Sequence, residues 1–335
     1  MPEGWFNAAA IMEDSDADYH IITGGRGIGK TYGFIDYCIT HNIKFVLMRR
    51  TETEASVQTD PELSSLVPVL SDHGLWDSED HSVVFRKRAK GKISFCYIDD
   101  VEVCCVVALS TIASLRGIDL DRYEVLLYDE FIPEPHVRNL PAEGLALKNA
   151  VETIGRNREL KGRKPLRVVL LGNSFNIANP VFIYDDLVSP AEQLLNTGEE
   201  IYRRGNKCLI LCQKSPIQDL KAETALYKDV NAEFKDIALG NKFHLNDFTL
   251  IKRRNIKEFK THCKVGDIYI YKHKSEGVYY VSFTPGATKE NYNNTTADLL
   301  RFRRKQHRLY IKYLDGKVLF EKYECLALFQ QYYKV

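Results

Sequence analysis

The stretch Ile22–Thr31, ITGGRGIGKT, decides the fold of the first two-thirds of this chain. From Gly24 to Thr31 it satisfies G-x-x-x-x-G-K-[ST] without a mismatch. That pattern carries meaning in one setting, after a strand and at the start of a helix. Here YHIIT (19–23) reads as a buried strand before it, and TYGFIDYCITH (31–41) as the opening of a helix after it. Gly24, Gly25, Gly27 and Gly29, with Arg26 and Ile28 among them, let successive backbone N–H groups turn inward around a phosphate. The helix N-terminus near Lys30 adds partial positive charge. Lys30 is placed to reach β- and γ-phosphates. The Thr31 hydroxyl is placed to ligate Mg²⁺, whose other ligands are waters and phosphate oxygens. A nucleoside triphosphate with Mg²⁺ is the expected ligand.

Outward from this loop, short β-rich runs alternate with helical patterns, the signature of an α/β protein with a parallel central sheet. KFVLMRR (44–50), EVLLYDEF (124–131), LRVVLLGNS (166–174) and KCLILCQ (207–213) read as strands. SVVFRK (82–87), ISFCYID (93–99) and VCCVVAL (103–109) read as extra strands, and LALKNAVETIGRNREL (145–160) as a helix. In EVLLYDEF, apolar residues from Val125 to Tyr128 precede Asp129 and Glu130. An Asp at the end of a strand beside a phosphate loop holds Mg²⁺. A Glu directly after it can polarise an attacking water as general base. The pair points to ATP hydrolysis rather than binding alone. Guanine is usually read by N-K-x-D, and Asn206-Lys207-Cys208-Leu209 lacks the Asp, so ATP is preferred.

Asn173 stands where a polar side chain can sense the γ-phosphate, although a strand-end Asn is also a common turn former. Arg156 and Arg158, in GRNRE, suit a helix C-terminus in their own right. Alternatively, one of them is an arginine finger offered to a neighbour's nucleotide, which stabilises transition-state charge and implies a ring or other multimer. Arg26 touches the γ-phosphate or the next subunit, or is solvated.

Taken in order and spacing, GGRGIGKTY, the pair Arg49 and Arg50, LLYDEF, IGRNRE and LLGNSFNIANPVF resemble the DNA-packaging ATPases of small tailed phages. These form the phi29-like group, related more distantly to large terminase subunits. The resemblance covers Tyr19 to Phe182 well and the C-terminal third faintly. It implies a P-loop ATPase of the additional-strand, catalytic-glutamate type, working as a pentameric ring on a phage portal. Such a ring drives double-stranded DNA into a procapsid in the host cytoplasm. The resemblance implies Lys30 and Thr31 on the nucleotide, Asp129 on Mg²⁺, Glu130 as the catalytic carboxylate, Arg156 as the trans finger and Asn173 as the coupling residue. It also implies a C-terminal fold of RNase H type. A nuclease of that type gathers several carboxylates around two metals. DIYIYKHK and VYYVSFTP carry Tyr271 and Ser282 in their middles, and Asp267 and Asp298 are too few. No nuclease activity is expected.

The totals fit this reading. The chain has 335 residues, 44% hydrophobic and 27% charged, as in a soluble protein of two domains. No apolar run approaches the roughly 18 residues of a membrane helix, and the acidic N-terminus does not read as a secretory leader. Eight cysteines lack C-x-x-C or zinc spacing. They are expected to be reduced core residues in a cytoplasmic protein.

The net charge of +1 conceals a division. From Leu226 onward there are 21 Lys/Arg against 12 Asp/Glu, and before it 25 against 33. A basic back half suggests a polyanionic partner. The expected organisation is an ATPase domain over 1–213, a polar linker or lid over 214–243 and a basic β-rich domain over 244–335. That last domain is expected to contain a strand at FTLIKR and helices around ADLLRFRRKQHRLYIKYL and YECLALFQQYY. Lys252, Arg253, Arg254 and Lys257 form one basic run, and Arg301, Arg303, Arg304 and Lys305 another. Such charges hold nucleic acid of any sequence by releasing counterions, although a charged face is often simply solvated. DNA in a channel, a packaging RNA or an acidic face of the portal would each suit them. Two further readings share the phosphate loop: a P-loop kinase with GRNRELKGRK as an arginine-rich lid, and a non-catalytic adaptor that keeps ATP as a structural ligand.

Overall fold

The computed structural model describes residues 5–134, 137, 139–140, 142–173, 177, 179–212, 224 and 250–333. The chain divides into two units, Met1–His244 and Leu245–Val335. Apart from Thr224, the proposed linker over 214–243 lies outside the described residues.

In the first unit the elements are α1 (Ala8–Met12), β1 (Tyr19–Gly24), α2 (Lys30–Thr40), β2 (Phe45–Arg49), α3 (Glu52–Val57), α4 (Leu66–Asp72), β3 (Val83–Arg88), β4 (Ile93–Ile98) and β5 (Val101–Ala108). They continue with β6 (Val125–Asp129), α5 (Glu143–Gly155), β7 (Arg167–Asn173), α6 (Pro180–Tyr184), α7 (Val188–Thr197), β8 (Ile201–Arg204) and β9 (Lys207–Cys212). Among the described residues these strands form a nine-stranded sheet in the order β3-β4-β5-β2-β6-β7-β1-β9-β8. From β5 across to β9 every neighbour is parallel. Both edges are antiparallel, because the connections at β3–β4–β5 and β8–β9 are too short for the crossover that a parallel pair needs.

Continuous Val/Ile/Leu runs are what a sheet covered on both faces requires, and β1, β2 and β6 are buried along their whole lengths. Ile22, Phe34, Phe45, Leu47, Leu127 and Val169 sit at the centre of the core. Helix α5 buries Leu147, Ala150 and Ile154, the residues at helical spacing. All eight cysteines are unpaired, and Cys212 alone is not fully buried. Burial pushes the Cys38 thiol up to about 12, so it behaves as a small apolar residue.

The second unit contains β10 (Phe259–Val265), β11 (Ile268–His273), β12 (Tyr279–Ser282), β13 (Asn291–Tyr292), α8 (Thr296–Lys305), α9 (His307–Leu314), β14 (Val318–Phe320) and α10 (Tyr323–Tyr333). Its sheet has the order β13-β10-β11-β12-β14. Phe248 and Thr249 of FTLIKR lie outside the described residues; of the rest, Ile251 makes a single bridge to Phe320, and β10 comes from FKTHCKV, which buries Phe259, Cys263 and Val265. One expectation is corrected. The helix around ADLLRFRRKQHRLYIKYL breaks at Gln306. That residue is buried: its side chain bonds His262 and Glu290, and its carbonyl accepts from the Tyr333 hydroxyl at 2.9 Å. No helix among the described residues is long and apolar enough to cross a membrane.

Candidate functional site

Parallel register brings the chemistry to one edge of the first sheet. Gly24, ending β1, stands opposite Asn173 of β7 and Cys212 of β9. Asp129, ending β6, stands opposite Leu171. The carboxyl ends of parallel strands are where α/β sheets hold ligands. A cavity of about 350 Å³ opens there, walled by Arg26, Gly27, Gly29, Lys30 and Thr31 on one side and by Asp129, Glu130 and Asn173 on another. Trp5 and Tyr32 also face it.

The loop has its shape because glycine is needed in it. Gly29 caps α2 at φ +88°, a left-handed conformation that costs other residues, and a Cβ there would lie 2.4 Å from the Trp5 ring. A Cβ on Gly24 would lie 2.8 Å from that of Cys212. The Phe6 amide donates to the Ile28 carbonyl at 3.0 Å, which holds the N-terminal segment along the loop. Lys30 is buried, and its Nζ donates to the carbonyls of Gly25 at 2.8 Å and Gly24 at 3.1 Å.

In front of Lys30 the acids are tied together. Thr31 Oγ1 donates to Asp129 Oδ1 at 2.9 Å. Arg49, ending β2, donates from Nη1 to Asp129 Oδ2 at 2.7 Å and from Nη2 to Glu130. Burial pushes the Asp129 carboxyl above its ordinary range; Arg49, the Thr31 bond and Lys30 pull it back, while Glu130 adds to the rise. Glu130 differs from its neighbour. Its side chain is half exposed, and its backbone sits at φ +56°, uncommon for a non-glycine residue. Thr31 and Asp129 thus present two hard oxygen donors side by side, the chemistry Mg²⁺ takes.

Arg50 turns to the opposite side from Arg49. Fully buried, it donates to Glu143 from Nε at 2.9 Å and from Nη2 at 3.1 Å, and the Tyr128 hydroxyl donates to the same carboxylate at 3.0 Å. The pair Arg49–Arg50 therefore divides into a site residue and a core residue.

The remaining candidates separate by place. Arg26 pairs with Glu134 at the cavity mouth. Arg156 is away from the cavity, exposed just past α5, where it donates to the Ile118 carbonyl and lines a shallow depression with Arg116 and Glu152. Arg158 is buried and donates to the carbonyls of Lys164, Asp121 and Tyr123. In the second unit, Arg254 pairs with Glu276, Arg301 with Asp298 and Lys305 with Glu290, and Arg303 donates to the Tyr332 carbonyl. Lys252, Arg253, Lys257 and Arg304 are exposed, with no ion pair among the described residues. No motif marks Trp5, and Tyr32, although it ends the GGRGIGKTY stretch, carries no task in the sequence reading. That reading had noted Arg49 without assigning it a chemical task.

The sequence profile of the family described as Podovirus DNA encapsidation protein (Gp16) matches residues 4–308. The DNA packaging protein of Bacillus phage PZA is 25% identical over 312 residues, 89% of this chain and 85% of the relative. The DNA packaging protein of Bacillus phage phi29 is 28% identical over 205 residues, 60% of this chain and 56% of the relative. Among solved structures, the Phi-28 gp11 DNA packaging motor shares the fold, with a TM-score of 0.62 at 18% identity, over 99% of this chain and 98% of its own. The chain belongs to the Podovirus DNA encapsidation protein family and is a viral DNA-packaging motor subunit.

Proposed function

We propose that this chain hydrolyses ATP in the cavity between the phosphate loop and Asp129–Glu130, and that the energy moves double-stranded DNA into a procapsid. The observation that carries the reading is the unbroken polar chain Thr31–Asp129–Arg49–Glu130 beside Lys30. With nucleotide present, Lys30 would leave the loop carbonyls for the β- and γ-phosphates. Thr31 and Asp129 would hold Mg²⁺, which when bound neutralises phosphate oxygens. Glu130, partly exposed and steered by Arg49, would take a proton from the attacking water. Asn173, at the same edge, would sense the γ-phosphate, orient that water and couple hydrolysis to movement.

Strand β7 lies between β1 and β6. That placement supports an additional-strand, catalytic-glutamate P-loop domain over 1–213. Arg156, exposed and outside its own cavity, suits a finger supplied to a neighbour, and hence a ring, which we take to be a pentamer on the portal. The basic domain over 244–335 would be RNase H-like without nuclease acids: Asp267 is exposed at a turn, and Asp298 is tied to Arg301. Lys252, Arg253, Lys257 and Arg304 remain its candidates for DNA, packaging RNA or portal contact. The work would take place in the host cytoplasm.

The test is Glu130→Gln assayed with procapsids and DNA. Nucleotide binding should persist while turnover falls by about 10²-fold or more, the scale of losing a general base. Turnover at the unaltered rate would end the reading.

A further inference from the structure

The basic runs that sequence analysis singles out lie in the second unit, yet the first unit carries a run of comparable density at one point. Strands β3 and β4 form an antiparallel hairpin whose last paired residues are Arg88 and Ile93. Around and across its turn stand Lys87, Arg88, Lys90 and Lys92, four cations in six residues with no acid among them. Lys87, Arg88 and Lys90 are exposed and Lys92 is half-buried. None has an ion pair among the described residues.

Elsewhere in the unit many cations are paired. Arg122 is held by Glu102, Lys161 by Asp121, Lys207 by Asp185 and Arg203 by Asp14. Even Arg86, one residue before the cluster, is paired with Asp100 and lies over the Tyr97 ring. Other cations of the unit, Lys44, Arg116 and Lys164 among them, also lack an ion pair among the described residues, but the turn gathers four such cations within six residues, in a part of the chain that is acidic as a whole.

Two observations argue against an incidental solvated turn. Ala89 and Lys90 sit at φ +52° and +58°, a region that glycine or asparagine enters more easily, and space beyond Gly91 is open. The turn thus places a lysine where the backbone would favour a smaller residue. Protection of an edge strand from pairing also explains charges on β3. It does not explain Lys90 and Lys92, which lie past the last strand pair, or the single sign. Like charges this close repel one another, and a phosphate backbone would relieve that repulsion.

We propose that the β3–β4 turn, Lys87 to Lys92, is a contact for the phosphate backbone of duplex DNA, separate from the basic domain. The inference rests on the reading of this chain as a subunit that handles DNA. It assigns the nucleotide-binding unit its own hold on the duplex, so that the unit which changes state with ATP would touch the cargo directly. Contact of this kind carries no base preference.

The experiment uses the full chain with Lys87, Arg88, Lys90 and Lys92 changed together to Gln, and separately Lys90→Gln alone. Binding of a short labelled duplex DNA is followed by anisotropy across a series of KCl concentrations. Each lost phosphate contact should reduce the slope of log affinity against log salt by about 0.9, so the fourfold variant should lose roughly 2 to 4 in slope. Circular dichroism and binding of a fluorescent ATP analogue should be unchanged, since none of the four residues faces the cavity. An unchanged slope in both variants overturns this inference and leaves the DNA-handling reading intact. No salt-dependent binding by the unaltered chain overturns both. A slope lost on duplex RNA but kept on duplex DNA also overturns it, in favour of an RNA contact. Should the fourfold variant misfold, Lys90→Gln alone decides, with an expected slope loss of about 1.

Discussion

Arg49 and Asp129 meet across β2 and β6, with Nη1 2.7 Å from Oδ2, and the same guanidinium also holds Glu130. One cation thus serves two adjacent carboxylates of different character, one buried and one half exposed. The buried acid is held by both Arg49 and Thr31, and the half-exposed one by Arg49.

Replacing Arg49 by Ala should leave the Asp129 charge buried beside Glu130 without its main counter-charge. Breaking a buried pair from one side costs on the order of 3 kcal/mol. ATP turnover should fall by at least about tenfold, while Lys at this position should restore stability better than turnover, because an ammonium cannot fork between two acids. Urea denaturation and ATPase assays on both variants decide this. An Arg49→Ala chain with unaltered stability and turnover would mean that the contact is idle.

The chain has two tryptophans, Trp5 at the cavity and Trp76 packed against the core. Nucleotide entering the cavity should change the environment of Trp5 alone. Tryptophan emission should therefore respond to ATP in the unaltered chain and in Trp76→Phe, and should stop responding in Trp5→Phe. A response that survives Trp5→Phe would place the nucleotide elsewhere.

His20 is fully buried, and burial lowers its pKa below the ordinary 6.5, with the Asp14 hydrogen bond opposing that shift. Its Nδ1 has no hydrogen-bond partner among the described residues. On acidification the unfolded chain takes up a proton that the folded chain refuses. The contribution of this group to stability is therefore full above the unfolded pKa and is lost as pH falls from there towards the folded one. Melting temperature should drop between about pH 7.5 and pH 5.5, and His20→Asn should flatten part of that drop. Identical pH profiles for the two proteins would show that His20 titrates as it does when unfolded.

Much of this arrangement was legible in the residues themselves. The phosphate loop, the acid pair ending β6 and Asn173 ending β7 meet because parallel strands share one carboxyl edge, so strand ends found in the sequence become neighbours in space. Trp5 was not legible, since a single aromatic in a short N-terminal segment has no periodicity to read. Nor was the split of Arg49 from Arg50, which depends on which side each faces at a strand end. The break at Gln306 was hidden for a related reason. The helical pattern continues through it, and the bonds that stop the helix come from His262, Glu290 and Tyr333, distant in sequence.

Arg156 and Arg158 were equivalent as sequence and are not equivalent as structure. Arg158 supplies donors to three backbone carbonyls in the interior, so Arg158→Ala should strand those acceptors and cost roughly 1 to 3 kcal/mol or more. Arg156 is exposed and reaches one carbonyl, so Arg156→Ala should change stability by about 0.5 kcal/mol or less. If Arg156 acts on a neighbour's nucleotide, its loss should appear only in the assembled ring. Turnover with procapsids should fall by about 10³-fold or more, the scale of an arginine finger. Rings mixed from Arg156→Ala and Glu130→Gln chains should recover part of that activity wherever an intact arginine adjoins an intact glutamate. Mixed rings no more active than the two parents apart would remove Arg156 from the trans role, and unfolding curves measured alongside would separate that result from a failure to fold.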